Sequence, residues 1–156
     1  MTKITAEELM VAASALQKIG EVQITAKTAY RIARNTIKIE RELKILDKVR
    51  NALIKKYGTQ GDNGDYRIDQ TIEKVNADGN IIMEPGPIDS DGKIVLHPVH
   101  IFNPALINFT KEWEEVCTQD IELDISILKI DDLVDADNHV NIAPSLLKGI
   151  HFMLEE

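Results

Sequence analysis

Apolar and polar positions alternate in steps of four and three through residues 25–57. Ile32, Thr36, Ile39, Leu43, Leu46, Arg50 and Leu53 recur as the seam of a helix lying lengthwise on another helix. The pattern predicts one uninterrupted helix, with Thr25 as N-cap, Lys55 and Lys56 at the negative end of its dipole and Gly58 closing it. At about 1.5 Å per residue it would run roughly 50 Å. Ahead of it, Thr5 and Glu8 have the spacing of a capping box. Leu9, Ala12, Ala13, Leu16 and Ile19 then form the apolar face of a first helix, and Gly20 offers a left-handed stop. This first helix is too short to cover the whole seam. The distal half of the second is therefore expected to pack on the C-terminal half of the chain or on another copy.

Beyond Gly58 the period changes. Residues 59–65 are turn formers and mark the main break. Residues 80–84 and 93–97 read as two short strands of a hairpin, joined by the Pro- and Gly-containing loop 85–92. Asn103 followed by Pro104 is a cap with proline at the first helical position, and Leu106, Phe109, Trp113 and Val116 give a helical face through residue 117. Ile121, Leu123, Ile125 and Ile127 alternate with Glu122, Asp124, Ser126 and Leu128, the pattern of a half-buried strand. Pro144 opens a short helix whose apolar set is Leu146, Leu147, Ile150, Met153 and Leu154. Together these elements predict an α+β fold: an N-terminal helical hairpin with one long helix, a small antiparallel sheet and two further helices. A single domain over 1–156 is expected, organised as a helical hairpin (1–58), a turn-rich hairpin segment (59–105) and a helix-strand-helix (106–156).

Composition sharpens this picture in four respects. With 44% hydrophobic but only 4% aromatic residues, the core must be filled by aliphatic side chains. Cys117 is the single cysteine, so no intramolecular disulfide can form, and the chain suits a reducing cytosol. No stretch reaches the roughly 18 apolar residues of a membrane span or resembles a signal peptide, so a soluble, intracellular protein without membrane contact is expected. The net charge of −8 hides an asymmetry: residues 21–58 hold ten Lys or Arg against four acids, while the remainder holds 8 against 22. Such a division can serve contacts within the fold, contacts between copies, or an anionic partner.

Candidate chemistry is sparse. His97 and His100 are three apart, but Pro98 between them favours extended chain, in which the rings point to opposite faces and no third ligand joins them; no metal and no other cofactor is expected. The acidic runs 89–92 and 131–138 lack the closing Glu of a calcium loop and read as turns. Cys117 could be paired with His139 or His151 as nucleophile and base, yet at the end of an amphipathic helix it reads better as a small hydrophobe. No glycine elbow, phosphate loop or dinucleotide fingerprint occurs, and no catalytic residue is assigned. The constellation with functional force is a basic stripe, Lys27, Arg31, Arg34, Lys38, Arg41 and Lys48, placed on the far side of the long helix from its seam. It reads as a solvated or protein-docking face. Nucleic acid is the less favoured partner, because the chain is acidic and only Tyr30 stands near the stripe for base stacking.

The run Lys27-Thr28-Ala29-Tyr30-Arg31-Ile32-Ala33-Arg34, continuing through Ile39-Glu40-Arg41-Glu42-Leu43 to Leu53-Ile54-Lys55-Lys56-Tyr57-Gly58, resembles a family of small, uncharacterised proteins of tailed bacteriophages and prophages. Ile142-Ala143-Pro144-Ser145-Leu146-Leu147 stands where that family has a proline-headed closing helix. The resemblance extends over residues 5–58 and 106–154, and residues 75–105 look like an insertion relative to it. It implies a phage-encoded, non-enzymatic accessory protein, located in the cytoplasm of an infected bacterium or in the virion. Its action would be protein–protein interaction or self-association, as a virion or assembly component. The alternatives are an inhibitor of a host enzyme or defence complex, and a nucleic-acid binder acting through the basic helix face.

Overall fold

The computed structural model describes residues 1–22, 24–133 and 142–155. In chain order its first elements are β1 (Thr2–Thr5), α1 (Ala6–Ile19), α2 (Ala26–Tyr57), β2 (Thr59–Gln60), β3 (Tyr66–Arg67) and β4 (Thr71–Glu73). They are followed by β5 (Met83–Ile88), β6 (Ile94–Pro98), β7 (His100–Phe102), α3 (Pro104–Cys117), β8 (Asp120–Leu123) and α4 (Pro144–Gly149), with short 3₁₀ turns at Ile130–Leu133 and His151–Met153. The fold is α+β, with helices beside small two-stranded antiparallel sheets. The chain divides into two compact units, Met1–Asn51 with Trp113–Glu156, and Ala52–Glu112. The second unit thus takes in the turn-rich segment together with the last turns of α2 and the first turns of α3. Composition marks where a helix stops, whereas the unit boundary falls where packing changes, inside a continuous helix.

The first unit is built around an aliphatic core. Thr5 caps α1 as its spacing requires: its hydroxyl accepts the Glu8 N–H at 3.2 Å, and its own N–H donates to the Glu8 carboxylate at 2.8 Å. That cap aims Leu9, Ala12, Leu16 and Ile19 inward, where they meet Ile32 and Ile39 of α2, Leu123, Leu128, Ile150 and Met153. α4 packs on α1, where a Cβ on Gly149 would stand 3.0 Å from the Ala15 methyl and 3.3 Å from the Val11 side chain, closer than ordinary van der Waals contact, so glycine favours this approach. β1 pairs antiparallel with β8 from Thr2↔Leu123 to Thr5↔Asp120.

Three expectations are corrected here. Gly20 is not left-handed: with φ −61° and ψ −18° it prolongs the helical conformation, its N–H bonded to the Leu16 carbonyl at 2.9 Å. Arg50 does not belong to the buried seam; it is exposed, and Leu43 and Leu46 are half-buried at the margin of the core. Between Ile32 and Ile39 the deepest polar contact is Asn35, fully buried. The strand predicted over 121–128 ends at Leu123, because at Ser126 the backbone finds a side chain in place of a neighbouring strand. The Asn35 amide donates to the Ser126 carbonyl and accepts from its N–H, both at 2.8 Å.

The second unit is a chain of tight hairpins. β2 pairs with β3, β4 with β7 and β5 with β6. At the centre three strands exchange a closed ring of backbone hydrogen bonds: Lys74 N–H to Val99 C=O at 2.7 Å, Val99 N–H to Ile82 C=O at 2.9 Å, and Ile82 N–H to Lys74 C=O at 2.8 Å. From this junction the pairs diverge. The predicted hairpin is present, but its loop is shorter than 85–92. Pro85, Gly86 and Pro87 lie within β5, with a bulge between Pro85 and Ile88, and the turn contracts to residues around Gly92, which has φ +77°. Prolines are tolerated there because a bulged edge strand does not need their missing N–H groups. Asn103 caps α3, accepting the Ala105 N–H at 3.0 Å while its amide donates to the Asp69 carbonyl. Lys56 and Tyr57 both meet the Glu112 carboxylate, at 2.6 and 2.5 Å, joining the end of α2 to α3.

Candidate interaction surfaces

The six basic residues singled out in α2 do not form one free stripe. Arg31 is half-buried and bonded to Asp132 at 3.2 Å. Lys38 reaches both the Asp124 carbonyl and its carboxylate, the latter at 3.0 Å. Lys27, Arg34, Arg41 and Lys48 are exposed. The reason is the true centre of the buried face. Since Asn35 sits between Ile32 and Ile39, a step of three or four from it reaches Arg31 and Lys38, which occupy the shoulder of the buried face. Part of the charge asymmetry along the chain is therefore spent within the first unit, basic helix against acidic C-terminal half. The Lys38 ammonium, through its hydrogen bond and then its charge, holds the Asp124 carboxyl below the usual carboxylate range, with Arg34 adding to the effect.

Cys117 lies half-buried at the end of α3. Burial, then the charges of Glu7 and Glu114, raise its thiol pKa, the opposite of what an activated nucleophile needs. His151 donates through Nδ1 to the Lys148 carbonyl, 3.0 Å away. It borders a cavity of about 310 Å³ with Glu7, Glu8, Val11, Ser145 and Lys148. Among the described residues no hydrogen bond links Ser145, His151 and Glu7. His139 and the acidic run from residue 134 onward lie outside the described residues.

His97 and His100 fall on β6 and β7, in extended chain as Pro98 implied. The His97 ring packs over Gly86, where an added Cβ would come within 2.0 Å of it, and His100 bonds the Pro98 carbonyl at 3.0 Å. The Asp89 side chain accepts the N–H groups of Asp91 and Lys93, both at 2.9 Å, so this acidic run is a turn held by its own aspartate. Among the described residues no group of three or more His, Cys, Asp or Glu side chains is placed to hold a metal ion, and no helix is long and apolar enough to cross a membrane.

The feature that sequence reasoning missed is in the second unit. Among its described residues no apolar side chain is buried, and Asn103 alone falls in the buried class. Residues opposite each other in an antiparallel ladder project to the same side, and alternate residues of a strand do likewise. The pairs Val75↔Ile81, Pro85↔Leu96 and Ile88↔Ile94 therefore place their side chains on one side, along with Met83. Phe102 continues that side beyond the junction, opposite Thr71. Ile82, Val95 and Val99, on the other side, are half-buried. The signal was present in the sequence as Ile94 and Leu96 on one parity of a strand, but parity does not say whether anything lies over that side.

Comparison of the chain with protein-family models, with curated proteins and with solved structures finds no match.

Proposed function

We propose that this chain is a non-enzymatic assembly protein that works by binding protein, as a bacteriophage accessory component of the virion or of its assembly. One observation supports the interaction class above all: a unit of short hairpins with an open aliphatic side and no apolar core of its own. Fixing backbone costs roughly 1–2 kcal/mol per residue, and hairpins without a covered apolar face do not offset that. Exposed apolar patches of this extent mark protein contact sites. The phage attribution rests on the α1–α2 residues that resemble the phage family. Arg31 and Lys38, engaged with acids of the same unit, count against an electrostatic stripe for nucleic acid.

Mass spectrometry of purified phage particles tests the reading, the chain being expected among the particle proteins. Absence from particles and from assembly intermediates, with co-purification of a host enzyme, would replace it with the inhibitor reading. Binding to duplex DNA with an affinity that falls steeply with salt would replace it with the nucleic-acid reading.

A further inference from the structure

We infer that the open side of the second unit is a self-association face, covered by the same face of a second copy of this chain. The inference rests on the assembly reading and names its first partner. Three observations carry it.

The first is extent. Val75, Ile81, Met83, Ile88, Ile94 and Leu96 are each between 45% and 68% exposed, and Phe102 beside them is 52% exposed. Together with Pro85 and Pro98 on the same side, they present several hundred Å² of apolar surface, approaching the roughly 800 Å² per partner of a standard stable interface.

The second is charge. On this side of the three strands the ionisable residues are Glu73 and His100, which face each other across the β4–β7 ladder. Lys74, Glu84 and His97 project to the other side. Laid on its own copy about a two-fold axis, the side meets apolar surface and brings no block of like charges together; such a contact requires a patch that complements itself.

The third is demand. The unit buries no apolar side chain of its own, so the cover is needed by every chain for this unit to be stable. A second copy is the partner present in equal number when the chain is made, and a fold completed this way is inseparable from its oligomeric state.

Sedimentation equilibrium of the full chain at micromolar concentration tests this. The wild type is expected at twice the 17.5 kDa chain mass. Ile94→Lys with Leu96→Lys is expected to give the monomer mass, while Ile72→Lys with Ile101→Lys, on the opposite side of the strands, leaves the dimer. Should the first variant unfold its hairpins, hydrogen exchange of the wild type decides. Amides of 94–97 are expected to gain at least tenfold protection between dilute and concentrated solution. A wild type at monomer mass, amides indifferent to concentration, or dissociation equally caused by the opposite-side variant would overturn the inference. A monomer that is nonetheless found in purified particles overturns self-association and leaves the assembly reading standing. A dimer absent from particles does the reverse.

Discussion

Leu16 in the first unit is 1% exposed and Leu96 in the second is 56% exposed, although both sit in runs rich in Ile, Leu and Val. The two units dispose of apolar side chains differently because of their elements. A capped helix gathers its apolar residues on one stripe, and α1, α2 and α4 turn those stripes, with the side of the β1–β8 pair, toward one point. A hairpin has two sides and only two strands. The side carrying Ile82, Val95 and Val99 is half-covered, and the side carrying Ile94 and Leu96 is open. A helix stripe thus states where its core lies, whereas a strand's parity only sorts residues into two sets.

The difference can be broken most forcefully in the core. Leu16→Ala should lower unfolding free energy by about 2–5 kcal/mol in urea titration, as a buried leucine leaves a cavity. On the self-association inference Leu96→Ala should behave otherwise, with a cost that varies with protein concentration. Equal, concentration-independent costs would erase the distinction between the units.

Asn35→Ala comes next. It leaves the half-buried Ser126 N–H and carbonyl without their partner, at up to about 1–3 kcal/mol for each group left unpaired. Asn35→Asp should also destabilise, because a carboxylate can accept from the Ser126 N–H but cannot donate to its carbonyl. A melting temperature unchanged by either substitution would mean that the Ser126 segment is held by other contacts.

A smaller effect belongs to the Lys38–Asp124 pair. Asp124 titrates lower in the folded chain than in the unfolded one, so its contribution is complete above the ordinary carboxylate range and is lost as pH falls through the depressed value. Lys38→Gln should weaken that acid-side dependence, and acid titrations of the two proteins should differ only there. Glu112, drawn down by its hydrogen bonds to Lys56 and then Tyr57, should show the same sign in the second unit, and Lys56→Gln should weaken it.

The smallest expected change is in the exposed cations. Replacing Lys27, Arg34, Arg41 and Lys48 together with Gln should alter stability by no more than about 0.5 kcal/mol per site, the level of ordinary surface positions. A larger loss would place these side chains, too, within the fold.

Much of the fold was legible along the chain. The capping box at Thr5, the length of α2, the Asn103 cap before Pro104 and the helix headed by Pro144 all rest on bonds or φ angles set within a few residues, so local sequence specifies them. Arg50 falls outside the seam because periodicity can be continued past the point where a partner exists, and Gly20 shows that glycine permits the left-handed conformation without requiring it. The basic stripe was half legible: spacing placed six cations on one side of α2, but only packing showed that two of them stand on the shoulder of the buried face.

What the sequence by itself determined is therefore the inventory of elements, their caps and turns, and which residues of a strand share a side, because these follow from hydrogen bonds and dihedral preferences of short range. Tertiary structure alone decided that Asn35 would take the place of a neighbouring strand at Ser126, that Arg31 and Lys38 would be consumed by Asp132 and Asp124, and that one side of the Ile94–Leu96 strand would be left open. Those outcomes depend on which distant segment arrives opposite a given residue, and for backbone polar groups and apolar surface alike it is the arriving partner that sets the energy.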